Sequence, residues 1–385
     1  MNRAVKVSLA GLGCAMLTLS VMPAATASRP ELGDVQQALA ELASSSEVVG
    51  AIGAVYVHGR RADRGSAGTR LLDGGGRIPP GARFRIGSQT KSMTQVVIMK
   101  LVTEGRLSLD DRLGDLLPEV AEQGLVRLAD QITVGQLIHH TSGIPNWYTP
   151  DLVDYFDFDT YHPPIELIAR TRDLPRPFPP GEGYSYSNTN YFLLGLIIEK
   201  LSPHHSVSAE FKERIFDRLR MKDTYLPAEF PDSIKGPHGH GYFPDENGEL
   251  RDVDRLNMSY GYAAGGVIST TDDLSAFHRA LATDLLTKEE QDALNAGRPD
   301  TGPPPGTDPR ACGEYAPMKG GSPGFTALSY KNRDGSLQFI VSVTLGTRNQ
   351  DPAVDPLVKK AAEAVLCPGA DRRLRRHAEI RGKMP

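Results

Sequence analysis

The distribution of apolar and polar positions separates the chain into strand-forming ends and a helix-rich middle. Residues 48–57 alternate small and β-branched side chains, which predicts a strand. Residues 327–345 predict two more strands joined by a turn at Asp334-Gly335, and residues 354–366 predict a helix. Residues 88 to about 282 predict helices and long loops. We therefore expect the two ends of the chain to form one helix-covered sheet, with a mainly helical insert between them.

The first candidate for chemistry is Ser88, which lies where a strand-like run ends and a helix pattern begins. Residues 83–86 predict the strand, Gly87 interrupts it, and apolar residues at helical spacing follow. Lys91 belongs to the only Ser-x-x-Lys of the chain, and a helix would place its amine and the Ser88 hydroxyl on one face. A hydroxyl, a basic group and the positive end of a helix are components of a covalent serine site. Taken alone, the pair fits better a helix N-cap followed by an exposed lysine.

Two further motifs lie far along the sequence in informative surroundings. Tyr186-Ser187-Asn188 precedes a helix pattern over residues 192–201. Lys319-Gly320-Gly321 precedes the C-terminal strands and is the only Lys/His-x-Gly of the chain. A second Tyr-x-Asn, at residues 330–332, runs into the predicted hairpin turn, so we interpret it as structural.

The ordered set Ser-x-x-Lys, Tyr-x-Asn and Lys/His-x-Gly resembles the serine penicillin-recognising enzymes, in the branch of the D-alanyl-D-alanine carboxypeptidases and class C β-lactamases. Tyrosine at the first position of the second motif is typical of this branch. The similarity runs from about Val48 to Cys367 and is strongest to secreted actinobacterial D,D-carboxypeptidases across residues 184–190. It implies a β-lactamase/transpeptidase-like α+β fold, with an antiparallel sheet covered by helices, an all-helical insert domain and an active site in the cleft between them.

The resemblance also implies a role for each motif residue. Ser88 would attack a carbonyl to form an acyl-enzyme. Tyr186 is favoured as the general base with Lys91 beside it, although the sequence leaves the base unassigned between them. Asn188 would bond the substrate amide, and the backbone N–H groups of Ser88 and Ser322 would form the oxyanion hole.

The third motif departs from the family pattern. Relatives usually begin it with histidine and place one more residue before the glycine that matches Gly324. Either Lys319 fills the first position of Lys319-x-Gly321 with a one-residue gap, or Met318 fills that position. A cation at Lys319 would attract a substrate carboxylate, as a peptide ending in D-alanine requires, and Arg310 is a second candidate for that role.

The N-terminal 27 residues predict an exported protein. Arg3 and Lys6 precede an apolar run that ends near Ala25-Thr26-Ala27, the pattern of a cleaved signal peptide, and the run is too short for a membrane span. Its removal would take away Arg3 and Lys6 and no acidic residue, so the formal charge would move from −4 to −6. This mild acidity gives no indication of nucleic-acid binding. We expect a secreted, extracellular protein with no integral membrane segment.

Cys312 and Cys367 remain after signal cleavage and predict a disulfide, because exported proteins fold in an oxidising compartment. Two buried free thiols are the alternative. We predict one catalytic domain over residues 28–367 and a basic tail over residues 368–385. Within the domain, residues 28–87 and 310–367 form the sheet part, and residues 88–309 form the mainly helical part.

Residue types leave four functions open for such a chain. They are a D,D-carboxypeptidase acting on peptidoglycan stem peptides, a class C-like β-lactamase, an esterase or D-aminopeptidase, and a non-catalytic binding domain. The first is favoured by the overall resemblance, and β-lactams would then be inhibitors or substrates of a monomer. No cofactor or metal is expected, because His204-His205 and His238-Gly239-His240 lack the spacing and partners of a zinc site.

Overall fold

The structure is a computed structural model that describes residues 30–227, 233–299, 315–349 and 351–369. Several sequence predictions lie outside these residues: the signal peptide, Arg310, Cys312 and nearly all of the basic tail. The Cys312–Cys367 disulfide therefore stays a prediction.

Most of the long strands lie near the two ends of the described chain, and helices predominate between them. The strands are β1 (Val48–Val57), β2 (Arg60–Gly68), β3 (Phe84–Arg85), β4 (Tyr242–Pro244), β5 (Leu250–Asp252), β6 (Ile268–Ser269), β7 (Ala316–Ser322), β8 (Phe325–Lys331) and β9 (Leu337–Leu345). The helices are α1 (Val35–Leu42), α2 (Thr90–Thr103), α3 (Leu113–Leu116), α4 (Pro118–Glu122), α5 (Val134–Ile138), α6 (Pro164–Ala169), α7 (Asn188–Leu201), α8 (Val207–Phe211), α9 (Tyr262–Gly265), α10 (Thr271–Thr283), α11 (Lys288–Asn295) and α12 (Val354–Leu366).

The two ends of the chain form one antiparallel sheet, as the sequence predicts. Its strand order is β2-β1-β9-β8-β7, so β1 from the N-terminal part pairs directly with β9 from the C-terminal part. The predicted strand at residues 48–57 and the predicted helix at 354–366 have the observed bounds of β1 and α12. The strand β7 lies at one edge of the sheet, and its outer side is therefore available to other parts of the chain.

Each face of this sheet packs against a different set of helices. On β1, Ala51 and Val55 belong to the core shared with α1 and α12, whereas Ile52 and Ala54 belong to the larger core of the helical part. This division follows from the strand period of two, which turns successive side chains to opposite faces. The same period decides which side chains of β7 can reach the helical part.

Two short antiparallel pairings complete the described fold, and the strands β4, β5 and β6 correct the expectation of an all-helical insert, which is mainly helical instead. The strand β3 pairs with β6, and β4 pairs with β5. Within the described residues, no helix is long and apolar enough to cross a membrane.

Candidate active site

The turn that presents Ser88 is held tightly against the edge strand β7. Ser88 lies in a 3₁₀ turn, Gly87–Gln89, between β3 and α2, and its side chain is partly exposed. Gly87 has a φ of 53°, and a Cβ atom there would lie 2.5 Å from the backbone nitrogen of Gly321. A side chain at position 87 would be strained and would also push the turn away from β7. Glycine at this position therefore lets the Ser88 turn approach the sheet edge.

Lys91 lies one turn further along and is almost fully buried beside Ser88. Its Nζ atom is 2.8 Å from Asn188 Oδ1, 2.7 Å from the Ala264 carbonyl oxygen and 3.3 Å from Ser88 Oγ. Burial lowers the pKa of the Lys91 ammonium, and the neighbouring Tyr186 opposes this shift. The sequence-predicted pair of hydroxyl and amine is thus in contact.

Tyr186 contacts Ser88 from the opposite side. The Tyr186 hydroxyl donates a hydrogen bond of 2.8 Å to Ser88 Oγ. Lys91 Nζ lies 5.0 Å from the centre of the Tyr186 ring, and the His140 ring packs 4.5 Å from it. Ser88, Lys91, Tyr186 and Asn188, which lie in two separate segments of the sequence, therefore meet in one cluster.

His140 supports this cluster without contacting Ser88. Its Nδ1 accepts the Ser187 N–H at 3.2 Å and lies 3.3 Å from Asn190 Nδ2. Because Nδ1 accepts the Ser187 N–H, the ring proton is on Nε2. Burial lowers the pKa of His140 to about 3, so the ring is neutral at physiological pH.

Asn188 is oriented by Asn146, a residue that the sequence did not single out. The backbone N–H and the Nδ2 of Asn188 donate to Asn146 Oδ1 at 2.9 and 3.2 Å. This leaves Asn188 Oδ1 directed at Lys91. No local motif marks Asn146, because its role depends on a partner 42 positions away.

Lys319 is not brought to the cluster, which corrects the sequence prediction. Its Nζ lies 2.6 Å from both carboxylate oxygens of Asp355, on α12. Lys319 pairs across the sheet with Leu328, which belongs to the core on the α1 and α12 side. Cross-strand partners share a face, so this side chain points away from the helical part.

The glycine that approaches Ser88 is Gly320 rather than Gly321. A Cβ atom at Gly320 would lie 1.8 Å from the Ile86 carbonyl oxygen and 2.9 Å from the Ser88 nitrogen, whereas at Gly321 the nearest atom is 3.4 Å away. The third motif is therefore Met318-Lys319-Gly320, the alternative assignment, in which Met318 takes the first position. Met318 lines a cavity together with Lys91.

Gly321 and Ser322 line a cleft of about 130 Å³ together with Ser88 and Asn188. The backbone nitrogen of Gly321 faces the Ser88 turn at Gly87. Ser322 Oγ is buried and has no hydrogen-bond partner within the described part of the chain. It is thus a hydroxyl that a bound substrate can satisfy.

The far side of the cleft combines apolar walls with one buried cation. Tyr148, Met258 and Tyr260 line it with Arg85. Arg85 donates through Nη2 to the Asp254 carbonyl oxygen at 2.6 Å and through Nη1 to Met258 Sδ. Burial lowers the pKa of Arg85 to about 10, so it is still charged at neutral pH. The sequence analysis did not single out Arg85, and its position two residues before Gly87 is the one feature that points to it.

The histidines at 238 and 240 also differ from the sequence interpretation. They lie in a loop, and each of them contacts an aspartate, contrary to the expectation that they lack partners. His238 Nε2 is 2.7 Å from Asp254 Oδ1, and His240 Nδ1 is 2.8 Å from Asp252 Oδ2. His204 Nε2 is 2.7 Å from Glu213 Oε2.

Comparison with known proteins agrees with this geometry. A family model described as Beta-lactamase matches residues 35–363. Penicillin-binding protein 4* of Bacillus subtilis is 28% identical over 312 residues, covering 74% of this chain and 64% of that protein. Esterase EstB of Burkholderia gladioli is 28% identical over 233 residues, covering 56% of each chain. The chain thus spans between half and two thirds of the length of these curated relatives.

A solved structure extends the similarity over most of the chain. A D-stereospecific amidohydrolase from Streptomyces sp. is 30% identical with a TM-score of 0.71, covering 86% of this chain and 98% of that one. This similarity confirms the fold class predicted from the sequence.

Proposed function

The chain belongs to the beta-lactamase family of serine hydrolases, and within it we propose an exported amidohydrolase that forms an acyl-enzyme on Ser88. Two features together support the proposal: the acylation site around Ser88 is assembled, and Lys319 is bound by Asp355 outside the cleft. The similarity to the Streptomyces amidohydrolase supports amides of D-amino acids as the substrate class.

Acylation begins at the Ser88 hydroxyl. Its oxygen attacks the substrate carbonyl carbon, and its proton passes to the Lys91–Tyr186 pair, whose atoms lie 3.3 and 2.8 Å from Ser88 Oγ. A neutral Lys91 has two hydrogens, which match its two closest acceptors, and its lone pair then faces Ser88. The Tyr186 hydroxyl then protonates the leaving amine.

The developing oxyanion lies between two backbone N–H groups, those of Ser88 and Gly321. Ser322 and Phe325 flank the two-residue turn that joins β7 to β8, so the Ser322 N–H faces β8. Residues alternate along an antiparallel strand, which directs the Gly321 N–H to the outer edge, beside Gly87. We therefore assign the second oxyanion-hole N–H to Gly321 and not, as the sequence analysis expected, to Ser322. The Ser322 hydroxyl is assigned to substrate binding.

The substrate side of the cleft fits an apolar group better than a terminal carboxylate. Tyr148, Met258 and Tyr260 supply the apolar surface. The cation that the sequence assigned to carboxylate binding, Lys319, is neutralised by Asp355 on the far face of β7. An amide substrate whose leaving group is an amine without a carboxylate needs no cation at that position.

A D,D-carboxypeptidase acting on peptidoglycan stem peptides is the second candidate. Arg85 favours it, because this buried cation lines the cleft that contains Ser88. The similarity to penicillin-binding protein 4* supports the same function. Under either candidate we expect β-lactams to acylate Ser88, because acylation depends on the Ser88 cluster and not on a particular leaving group.

Parallel kinetics on matched substrates separate the two candidates. We expect the amide of an apolar D-amino acid to have a higher kcat/KM than its L-enantiomer and than a peptide ending in D-Ala-D-Ala, with Ser88→Ala inactive on all three. A preference for the D-Ala-D-Ala peptide would replace the amidohydrolase by the carboxypeptidase. Rapid turnover of nitrocefin would instead indicate a β-lactamase, and turnover of a short-chain ester alone would indicate an esterase.

A further inference from the structure

The β4–β5 hairpin carries two histidines on one arm and two aspartates on the other. Tyr242 pairs with Asp252, and the Val253 N–H donates to the Gly241 carbonyl oxygen at 2.9 Å. Continuing this register places His240 opposite Asp254. Residues two apart on an extended chain share a face, so His238 joins His240 on the same side. The pattern His-x-His and Asp-x-Asp therefore converges at the base of the hairpin.

The donor atoms of this cluster are close enough to share one ion. One ligand atom from each of His238, His240 and Asp254 lies within 4.8 Å of the others. The two imidazole rings are nearly parallel, at 8°, with their centres 5.4 Å apart. Ligands of a tetrahedral zinc ion lie about 3.3 Å apart, given Zn–N and Zn–O bonds of about 2 Å. Binding one ion therefore requires the three side chains to close in and the two rings to tilt towards a common point.

Hydrogen bonds already orient both rings for coordination through Nε2. His238 Nδ1 lies 2.5 Å from the Gly236 carbonyl oxygen, and His240 Nδ1 lies 2.8 Å from Asp252 Oδ2. Each Nδ1–H is thus donated to an oxygen, the arrangement typical of metal-bound histidine. The His238 Nε2 lone pair then faces Asp254 Oδ1 at 2.7 Å. Two acceptors at this distance need a proton or a cation between them.

We propose that His238, His240 and Asp254 bind a zinc ion, with Asp252 orienting His240. Two imidazoles and a carboxylate are ligands that zinc prefers, and water would complete a tetrahedral site. The two aspartates balance the double positive charge of the ion. This matters because the Arg85 guanidinium lies nearby, bonded to the Asp254 carbonyl oxygen.

The zinc ion would link the hairpin to the wall of the active-site cleft. Asp254 is followed closely by Leu256, Asn257 and Met258, all of which line the cleft that contains Ser88. Joining the two arms of the hairpin therefore fixes the start of this wall and the backbone oxygen that holds Arg85. The ion lies outside the Ser88 cluster and takes no part in acylation.

Zinc titration of tag-free, chelator-stripped full-length protein tests the site. We expect one zinc ion per chain, by metal analysis and by competition with a chromophoric chelator, and a rise in Tm on zinc addition. Asp254→Asn and His240→Gln should remove both effects. Asp252→Asn should weaken zinc binding about 10- to 100-fold, as loss of an orienting partner does. His204→Gln is the matched control, since His204 contacts a single carboxylate, and it should bind zinc as the unmodified protein does.

The outcomes separate clearly. No zinc binding by the unmodified protein, or binding that Asp254→Asn and His240→Gln leave unchanged, would overturn the site and leave His238 and Asp254 as an ion pair. Asp254→Asn preserves size and the backbone oxygen, so the test stands even if His240→Gln fails to fold. Labelling of Ser88 by a fluorescent penicillin at an unchanged rate would show that Asp254→Asn keeps its active site.

Discussion

Replacing Lys319 by alanine tests the assignment of the third motif. In the structure Lys319 bonds both oxygens of Asp355, and both side chains are about half exposed. An exposed ion pair contributes about 0.2–1 kcal/mol to stability. A lysine that bound a substrate carboxylate would instead contribute about 1.5–3 kcal/mol, which corresponds to about 10- to 150-fold in kcat/KM. We therefore expect Lys319→Ala to change kcat/KM less than about twofold, with at most about 1 kcal/mol lost from the free energy of unfolding.

The assay compares a D-Ala-D-Ala peptide with a D-amino-acid amide, so that carboxylate recognition is separated from acylation. Asp355→Asn is the matched control, because it breaks the same ion pair from the other side and should behave as Lys319→Ala does. A loss of tenfold or more for Lys319→Ala on the peptide alone, without a similar loss in Asp355→Asn, would refute the assignment. Lys319 would then have to turn into the cleft when substrate binds.

Three further results are expected. Gly320→Ala should lower activity and reduce the free energy of unfolding by at least about 1–3 kcal/mol, since its Cβ would overlap the Ile86 oxygen. Gly321→Ala should have a small effect on the free energy of unfolding. Equal effects of the two variants in urea unfolding would contradict the assigned position of β7 against the Ser88 turn. Tyr186→Phe should lower kcat about 10²- to 10⁴-fold with little change in KM, and full activity would exclude Tyr186 from proton transfer. Burial lowers the pKa of His140 and His278 to about 3, against about 6.5 when unfolded, so their stabilising effect is complete above pH 6.5 and is lost as the pH falls towards 3. The unfolded chain binds up to two more protons in that window, so the free energy of unfolding should fall by up to about 2.7 kcal/mol per pH unit, and His278→Gln should roughly halve that slope.

The sequence predicts the elements whose apolar pattern is one-sided or continuous. The strand β1 and the helix α12 have the bounds that their patterns predict, because each has a clear core-facing set of residues. The Ser88–Lys91 contact was also predictable, since it depends only on a separation of three residues in a helical segment. Such features are local, and local spacing determines them.

The errors concern positions that depend on how separate segments dock. Whether Lys319 or Met318 faces Ser88 depends on the register between β7 and the Ser88 turn, and adjacent glycines at 320 and 321 allow either reading of the sequence. The expectation that His238 and His240 lack partners failed for the same reason. His238 meets Asp254 only through the pairing of β4 with β5, which the sequence around the histidines does not encode. Asn146 and His140 gain their roles in the same way.

Acylation of Ser88 tests the central claim most directly. The full-length protein is incubated with a penicillin and digested, and the modified peptide is identified by mass spectrometry. We expect a single penicilloyl adduct on Ser88, formed at least about 10³-fold more slowly in Lys91→Met and absent in Ser88→Ala. An adduct on another residue, or an adduct that persists in Ser88→Ala, would contradict the account.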